Sequence, residues 1–143
     1  MRRSLGNHLA ATSIPRRLIL LDRALLGGVD FERILIHELF HFSWVRLSNQ
    51  TRWNWEELLR RELTAGVKGE LGWSAEWRKD RLTRRDIKLR APRWRRYICE
   101  SFCDTAASYF GGLEKHEEFT LPMRQRRTRA AWLSQRLPSI VIL

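Results

Sequence analysis

The sequence predicts a small, mostly helical α+β domain. Four segments combine helical apolar spacing with start or stop signals, whereas one short apolar run, residues 17–21, has the character of a buried strand. The chain has 143 residues, the length of one domain, so we expect residues 1–143 to form a single unit. Hydrophobic residues make up 43% and charged residues 30% of the chain, which excludes wholesale disorder.

The beginning of the chain should hold an arm, a strand and a helix. Residues 1–15 are polar and mixed, which predicts a short helix or an irregular arm. The apolar run 17–21 predicts the strand, and a glycine pair interrupts the chain after it. Asp30 can cap the first helix, which we expect to end near Leu47.

Three further helices are expected, each with a capping pair or a proline at its start. Asn54 and Glu57 have the spacing of a capping box at the start of the second helix. Residues 67–91 hold glycines, tryptophans and many charges, which predicts a long irregular connection with one short helix inside it. Residues 139–143 form a short apolar tail. The expected helix ranges are 54–66, 92–110 and 122–137.

The chain is strongly basic. It has 27 Lys and Arg residues against 16 Asp and Glu residues, a formal charge of +11, so an anionic partner deserves testing. Basic residues cluster in 78–96 and 124–129, which indicates either a surface for a polyanion or nucleic acid or, as we prefer, a solvated face. The seven tryptophans stand mostly among apolar residues at helical spacing, which is typical of core packing rather than of base stacking.

Two cysteines and the absence of long apolar runs bear on the compartment. Neither a secretory signal nor a stretch near the ~20 apolar residues of a membrane span is visible, so we expect a soluble cytoplasmic protein with no membrane partner. The chain has two cysteines, Cys99 and Cys103, which is too few for a disulfide framework or a cysteine-based zinc knuckle. They are one helical turn apart. We interpret them as core thiols in preference to a redox or metal role.

The segment His37-Glu38-Leu39-Phe40-His41 has the pattern H-E-x-x-H inside the first predicted helix. Residues four apart share one helix face, so both imidazoles can bind one metal ion at ~2.0–2.1 Å. Glu38 flanks that ion and can take a proton from a bound water. The flanking residues are strongly apolar, and a metal is the simplest way to satisfy three buried ionisable groups. The alternative is a pair of core histidines with ordinary hydrogen bonds.

A catalytic zinc site needs a third protein ligand and one open position. Glu100 is the first candidate, because Glu100 and Asp104 share a face of predicted helix 92–110 on which small residues would allow close approach. Glu100 would bind the zinc ion, and Asp104 would accept the second N–H of one metal-bound histidine. An ordinary polar stripe is the alternative for this pair, and Glu62 is the second candidate ligand.

Together, the strand-like segment 17–22, the motif at 37–41 and the stretch 100–107 resemble the gluzincin branch of the zincin metallopeptidases. The resemblance is to its smallest, minigluzincin-type members and to small bacterial peptidases related to repressor-cleaving proteins. It covers roughly residues 14–112. One departure is the spacing between the second histidine and the glutamate, roughly sixty residues, which is longer than in many gluzincins.

The resemblance implies a single zincin-like metallopeptidase domain with a short sheet packed on the H-E-x-x-H helix. It implies one zinc ion bound by His37, His41 and Glu100. Glu38 would then be the general base and Asp104 would orient a histidine ligand. The resemblance also implies that the strand before the active-site helix pairs with an extended peptide substrate.

The expected function is hydrolysis of a peptide or protein by a zinc-dependent peptidase. A further donor should stabilise the oxyanion, and Tyr97, Tyr109 and His116 stay open as candidates. One alternative is a basic nucleic-acid-binding module without enzymatic activity. Another is a SprT-like protease acting on DNA-bound proteins, which needs a third histidine soon after the motif, although none stands between His41 and His116.

Overall fold

The computed structural model describes residues 10–136, and it confirms the small, mostly helical α+β fold for that range. A two-stranded hairpin and a 3-10 turn precede a set of α-helices. Residues 1–9 and 137–143, which include the apolar tail, lie outside the described residues. The elements are β1 (Ala10–Ser13), β2 (Leu18–Leu21), the 3-10 turn (Arg23–Leu25), α1 (Phe31–Arg46), α2 (Asn49–Thr64), α3 (Trp73–Asp80), α4 (Arg84–Lys88), α5 (Pro92–Phe110) and α6 (Met123–Arg136).

The hairpin adds a strand that the sequence did not predict. β1 pairs antiparallel with β2, from Ala10 opposite Leu21 to Ser13 opposite Leu18. The expected helix or arm is therefore wrong for residues 10–13, whereas the strand predicted at 17–21 is confirmed as β2. β1 has no apolar alternation of its own, and its strand form comes from pairing with β2 and from packing on α1.

α1 forms where the sequence predicts it, with Asp30 at its N-cap position. The Asp30 side chain makes no capping hydrogen bond. Its carboxylate instead lies 3.4 Å from the Arg33 guanidinium and 2.7 Å from His116 Nε2. These contacts fix the loop after α5 to the first turn of α1.

α2 begins five residues earlier than the sequence predicts. Ser48 caps the helix by accepting a hydrogen bond from the Thr51 amide at 3.1 Å, so only a short link separates α1 from α2. Asn54 is not a cap but an interior residue, and its amide oxygen accepts a 2.9 Å hydrogen bond from the Trp132 indole. A serine cap supplied the stronger start signal, and the Asn54–Glu57 spacing was coincidental.

The connection between α2 and α5 contains two short helices, where the sequence predicted one. α3 begins after Gly72 and is capped by side chains from other elements, which no local pattern reveals. α4 is a five-residue helix with a capping box between Thr83 and Asp86. Its Ile87 packs against the core, so this segment is more ordered than expected.

α5 forms the centre of the core, with Pro92 in its first turn and Gly111 after its last, as predicted. The helix α1 and the helices α2, α3, α4 and α6 all pack on it. The core interpretation holds for only some of the tryptophans. Three are buried and one is partly buried: Trp55, Trp94 and Trp132, and Trp44 respectively. The other three, Trp53, Trp73 and Trp77, are exposed.

Arg129 of α6 lies completely inside the protein, so the basic cluster 124–129 is not one surface. Its guanidinium makes 2.6 Å ion pairs with both Glu62 and Glu70. The Tyr97 hydroxyl donates to Glu70 in the same cluster. Burial with this many partners satisfies each charge and joins α2, α5 and α6. Across residues 10–136, no helix has both the length and the apolar character needed to cross a membrane.

Candidate metal centre

The two histidines of α1 and one carboxylate of α5 converge on one point. His37 Nε2 and His41 Nε2 are 3.3 Å apart. Glu100 places one oxygen 3.1 Å from His37 Nε2 and the other 3.5 Å from His41 Nε2. The sequence prediction that brings His37, His41 and Glu100 together therefore agrees with the structure.

These separations have the dimensions of a tetrahedral metal site. Four-coordinate zinc with bonds of ~2.0–2.1 Å keeps its ligand atoms about 3.3–3.4 Å apart. His37 Nε2 lies 3.3 Å from His41 Nε2 and 3.1 Å from Glu100 Oε2, and the 3.5 Å contact of His41 Nε2 is with the other carboxylate oxygen, Oε1. Two nitrogens and one carboxylate oxygen are also a donor set that zinc prefers. The residues present thus fit a zinc ion.

Asp104 fixes the orientation of the first histidine. Its Oδ1 lies 2.6 Å from His37 Nδ1, so that nitrogen carries the ring proton and donates it. In the neutral ring the other nitrogen, Nε2, then carries the lone pair, and it faces Glu100 and His41. A lone pair facing a carboxylate is repulsive unless a proton or a metal cation lies between them, and a metal ion bound here would take the place of the proton.

The start of α3 holds the two carboxylates in place. The Ala75 amide donates to Asp104 Oδ2 at 3.0 Å, and the Ser74 hydroxyl donates to Glu100 Oε2 at 2.5 Å. Gly72 leaves the space for this contact, because a Cβ there would lie 2.4 Å from the Asp104 carboxylate. The Glu118 carboxylate accepts a 3.0 Å hydrogen bond from the Trp73 amide and so also caps α3.

The charges of the site interact strongly. Burial lowers the pKa of His37, but the Asp104 and Glu100 carboxylates outweigh burial and raise it well above its usual range. Burial raises the pKa of Glu100, but hydrogen bonding and charge interaction with His37 and the charge of His41 outweigh it and lower that pKa to about 2. Glu100 is therefore ionised near neutral pH, as a metal ligand must be.

The second histidine has a thiol as its neighbour. Cys99 Sγ lies 3.6 Å from His41 Nδ1. Burial lowers the pKa of His41, but Cys99 and Glu100 raise it overall. The expectation of purely structural core thiols is therefore too simple for Cys99, whereas Cys103 is buried in the core as predicted.

Glu38, which follows His37 in the sequence, is buried, and a side chain of the hairpin holds its carboxylate. The Thr12 hydroxyl of β1 donates to Glu38 Oε2 and lies 3.2 Å from the Glu38 carbonyl oxygen. β1 thus orients the carboxylate that the sequence singles out as the base. Thr12 could not be found from the sequence, because it lies in a segment without a strand pattern.

The remaining candidates lie elsewhere. Glu62 is paired with buried Arg129, which removes it as a ligand. Tyr97 is completely buried and donates to Glu70, so its hydroxyl is not available to an oxyanion. Tyr109 lines a cavity of about 420 Å³ between α5 and α6. His116, the third oxyanion candidate, pairs instead with Asp30, almost two turns of α1 before His37, so it supplies neither an oxyanion donor at the histidine pair nor a third histidine ligand.

Ser74, Gly72 and Thr12 are the site residues that sequence reasoning missed. Ser74 and Gly72 precede or begin a short helix, and neither position has a distinguishing local pattern. Their roles follow from the packing of α3 on α5, which places them against Glu100 and Asp104.

The fold and site define a small helical α+β domain with a His-His-Glu donor group, two donors of which come from one helix. A scan against protein-family models found no match, and searches of curated proteins and of solved structures found none either.

Proposed function

We propose that this protein is a zinc-dependent peptidase, with the ion bound by His37, His41 and Glu100. The observation that carries the proposal is the orientation of His37. Its Nδ1 is bound to Asp104, and its Nε2 faces both Glu100 and His41 at tetrahedral separations. This arrangement aims two imidazole nitrogens and a carboxylate at one point, as a metal site requires.

Zinc bound here would polarise a substrate carbonyl and lower the pKa of its water toward ~7. Glu38 would take the proton from that water and give it to the leaving amine nitrogen. Thr12 holds the Glu38 carboxylate in one orientation during both transfers. Asp104 keeps the His37 ring proton on Nδ1, so that Nε2 stays a ligand throughout.

The hairpin supports an extended peptide as substrate. Within the described residues β1 and β2 form a two-stranded sheet, so each strand has one unpaired edge. An extended peptide can pair with such an edge through main-chain hydrogen bonds. The resemblance implied this role for segment 17–22, which contains β2. β1 is a second candidate, because its Thr12 contacts the proposed base.

Elemental analysis of the purified protein tests the metal. We expect one zinc per chain in the wild type and loss of most of it in Glu100→Ala. Glu117→Ala is the matched control, since Glu117 is an exposed carboxylate. Full zinc retention in Glu100→Ala would remove Glu100 from the site, and a wild type that binds no zinc would refute the proposal.

A peptide library read by mass spectrometry tests the reaction. The zinc-loaded wild type should cleave a subset of peptides, and Glu38→Gln should retain zinc while losing roughly 10²–10⁴-fold in rate. Equal cleavage by Glu38→Gln would exclude Glu38 as the base. No cleavage by zinc-loaded wild type across the library would contradict peptidase activity.

A second proposal concerns the surface formed by residues 81–96. This segment holds eight basic side chains, all exposed, and a single acidic residue, Asp86. Asp86 is engaged in the capping box of α4, and of the basic residues Arg90 is paired with Glu56. Exposed Trp77 lies beside this segment under the Arg81 guanidinium. We propose that this surface binds nucleic acid through its phosphates, compatible with either enzymatic or non-enzymatic function.

A further inference from the structure

The Nδ1 side of the His41 ring faces two thiols, and neither these thiols nor Nδ1 is used by the proposed zinc site. Cys99 Sγ lies 3.6 Å from His41 Nδ1, and one donor atom from each of His41, Cys99 and Cys103 lies within 4.8 Å of the others. Cys99 and Cys103 are one turn apart on α5, which turns both sulfurs toward α1. Both thiols are free, Cys103 being buried and Cys99 partly exposed.

We propose that Cys99, Cys103 and His41 Nδ1 form a second metal site, for a thiophilic ion of the Cd²⁺ or Cu⁺ class. Thiolates select such soft ions. The zinc bond lengths of ~2.3 Å to sulfur and ~2.0–2.1 Å to nitrogen would separate these two atoms by about 3.6 Å in a tetrahedral site, and a larger soft ion would need slightly more. The observed separation between Cys99 Sγ and His41 Nδ1 has that value. The existence of this site does not rest on the peptidase proposal, because neither cysteine belongs to it, whereas its inhibitory effect rests on the proposed zinc site.

Occupation of the thiol site opposes zinc binding, because both sites need His41. A neutral imidazole has one ring proton and one lone pair. When Nε2 binds zinc, the proton is on Nδ1, facing Cys99. A thiophilic ion takes the Nδ1 lone pair, so the ring proton transfers to Nε2, and two thiol protons are released to solvent. His41 Nε2–H then donates toward Glu100 and no longer binds zinc. The thiol site is therefore inhibitory.

Titration of metal-free, reduced protein with Cd²⁺ tests the site through the thiolate-to-metal charge-transfer band. We expect the band to saturate at one ion per chain. Cys99→Ala and Cys103→Ala, each checked for folding by circular dichroism, should weaken Cd²⁺ binding by at least roughly 10-fold, since loss of a ligand costs no less than loss of an outer hydrogen bond. Unchanged Cd²⁺ affinity in folded Cys99→Ala, the variant at the less buried position, would overturn the proposal.

Glu100→Gln separates this site from the zinc site. We expect this variant to retain the Cd²⁺ charge-transfer band while its zinc affinity falls, and loss of the band would overturn a separate thiol site. In the wild type, Cd²⁺ should release zinc to a chromogenic chelator, and the Cys99→Ala, Cys103→Ala double variant should resist this release. Equal release from that double variant would refute the antagonism. A wild type that binds Cd²⁺ through its thiols but never binds zinc would refute only the peptidase proposal.

Discussion

The position that a Cβ at residue 72 would take lies 2.4 Å from the Asp104 carboxylate. Glycine at this position is what allows Asp104 to reach both the Ala75 amide and His37 Nδ1. The backbone of Gly72 is extended, with φ of 177°, so any residue could adopt it. The requirement for glycine is therefore steric, and it links the start of α3 to the orientation of a proposed zinc ligand.

Gly72→Ala should accordingly weaken zinc binding by roughly 10–100-fold, the usual effect of disturbing the partner of a metal-bound histidine. Overpacking should also lower the free energy of unfolding by about 1–3 kcal/mol. Competition with a zinc chelator measures the first effect, and chemical denaturation of the metal-free protein measures the second.

Gly28→Ala is the matched control for this substitution. A Cβ at Gly28 would have only an ordinary 3.4 Å contact with the Leu25 carbonyl oxygen. We expect zinc affinity close to that of the wild type in this variant. Wild-type zinc affinity in Gly72→Ala would show that Asp104 tolerates displacement and does not orient His37.

The part of the site that local spacing encodes could be predicted from the sequence. His37 and His41, and likewise Glu100 and Asp104, are four residues apart on well-marked helices, so one turn of helix fixes each pair. That the histidine pair lies against Glu100 could be inferred only from the need of a catalytic zinc ion for a third protein ligand.

The supporting residues could not be predicted, because their roles depend on tertiary packing. Thr12 lies in a strand that forms only against β2 and α1, and Ser74 lies in a helix capped by distant carboxylates. Similarly, Tyr97 shares a helix with Glu100 and was a candidate near the metal. The burial of Arg129 and Glu70 explains why its hydroxyl instead lies in the core.

Thr12→Val should lower kcat of the proposed peptidase by roughly 10–100-fold, since a hydrogen bond to a charged group contributes about 1.5–3 kcal/mol. Valine has the shape of threonine but cannot donate to Glu38. Thr12→Ser retains the hydroxyl and should restore most of kcat. Steady-state kinetics on a peptide from the library measures kcat and KM separately.

Zinc content distinguishes orientation of Glu38 from a general structural effect of Thr12. It should be unchanged in Thr12→Val, because Thr12 contacts Glu38 and none of the three ligands by hydrogen bond. A parallel fall in zinc content and kcat would mean that β1 supports the whole site and has no separate role at the base.

Replacing Arg81, Arg84 and Arg85 together by glutamine should weaken nucleic-acid binding and its dependence on salt. Each lost phosphate contact should reduce the slope of log affinity against log salt by roughly one unit. Fluorescence anisotropy with a labelled duplex of arbitrary sequence, at several salt concentrations, measures both quantities. All three side chains are exposed.

A control with the same loss of charge replaces Arg16, Arg23 and Arg46, which are exposed outside segment 81–96. This control should retain most of the affinity and of the salt slope. Equal losses in both triple variants would mean that binding follows net charge alone and that residues 81–96 form no specific surface.

Glu70→Gln should destabilise the protein by about 1–3 kcal/mol at pH 7, because it removes one of the two carboxylates that pair with the buried charge of Arg129 and leaves Glu62 as the other. Burial raises the pKa of Glu70, but Arg129 and Lys79 outweigh burial and lower it below the value of the unfolded chain. A lowered pKa stabilises the fold fully above the unfolded value of ~4.3, and this contribution is lost as pH falls toward the folded value. The wild type should therefore approach Glu70→Gln in stability below about pH 4.

Urea denaturation of both proteins between pH 7 and pH 3 measures this convergence. Glu57→Gln is the comparison at the surface, since Glu57 is exposed and paired with Arg61 at 3.5 Å. An exposed pair of this kind contributes only about 0.3–0.5 kcal/mol, so this variant should follow the wild type across the whole pH range. A stability difference between wild type and Glu70→Gln that stays constant down to pH 3 would mean that the ionisation of Glu70 is not what stabilises the cluster. In that case the hydrogen bonds of Tyr97 and Arg129, which the amide of glutamine can partly accept, would account for the cost of the substitution.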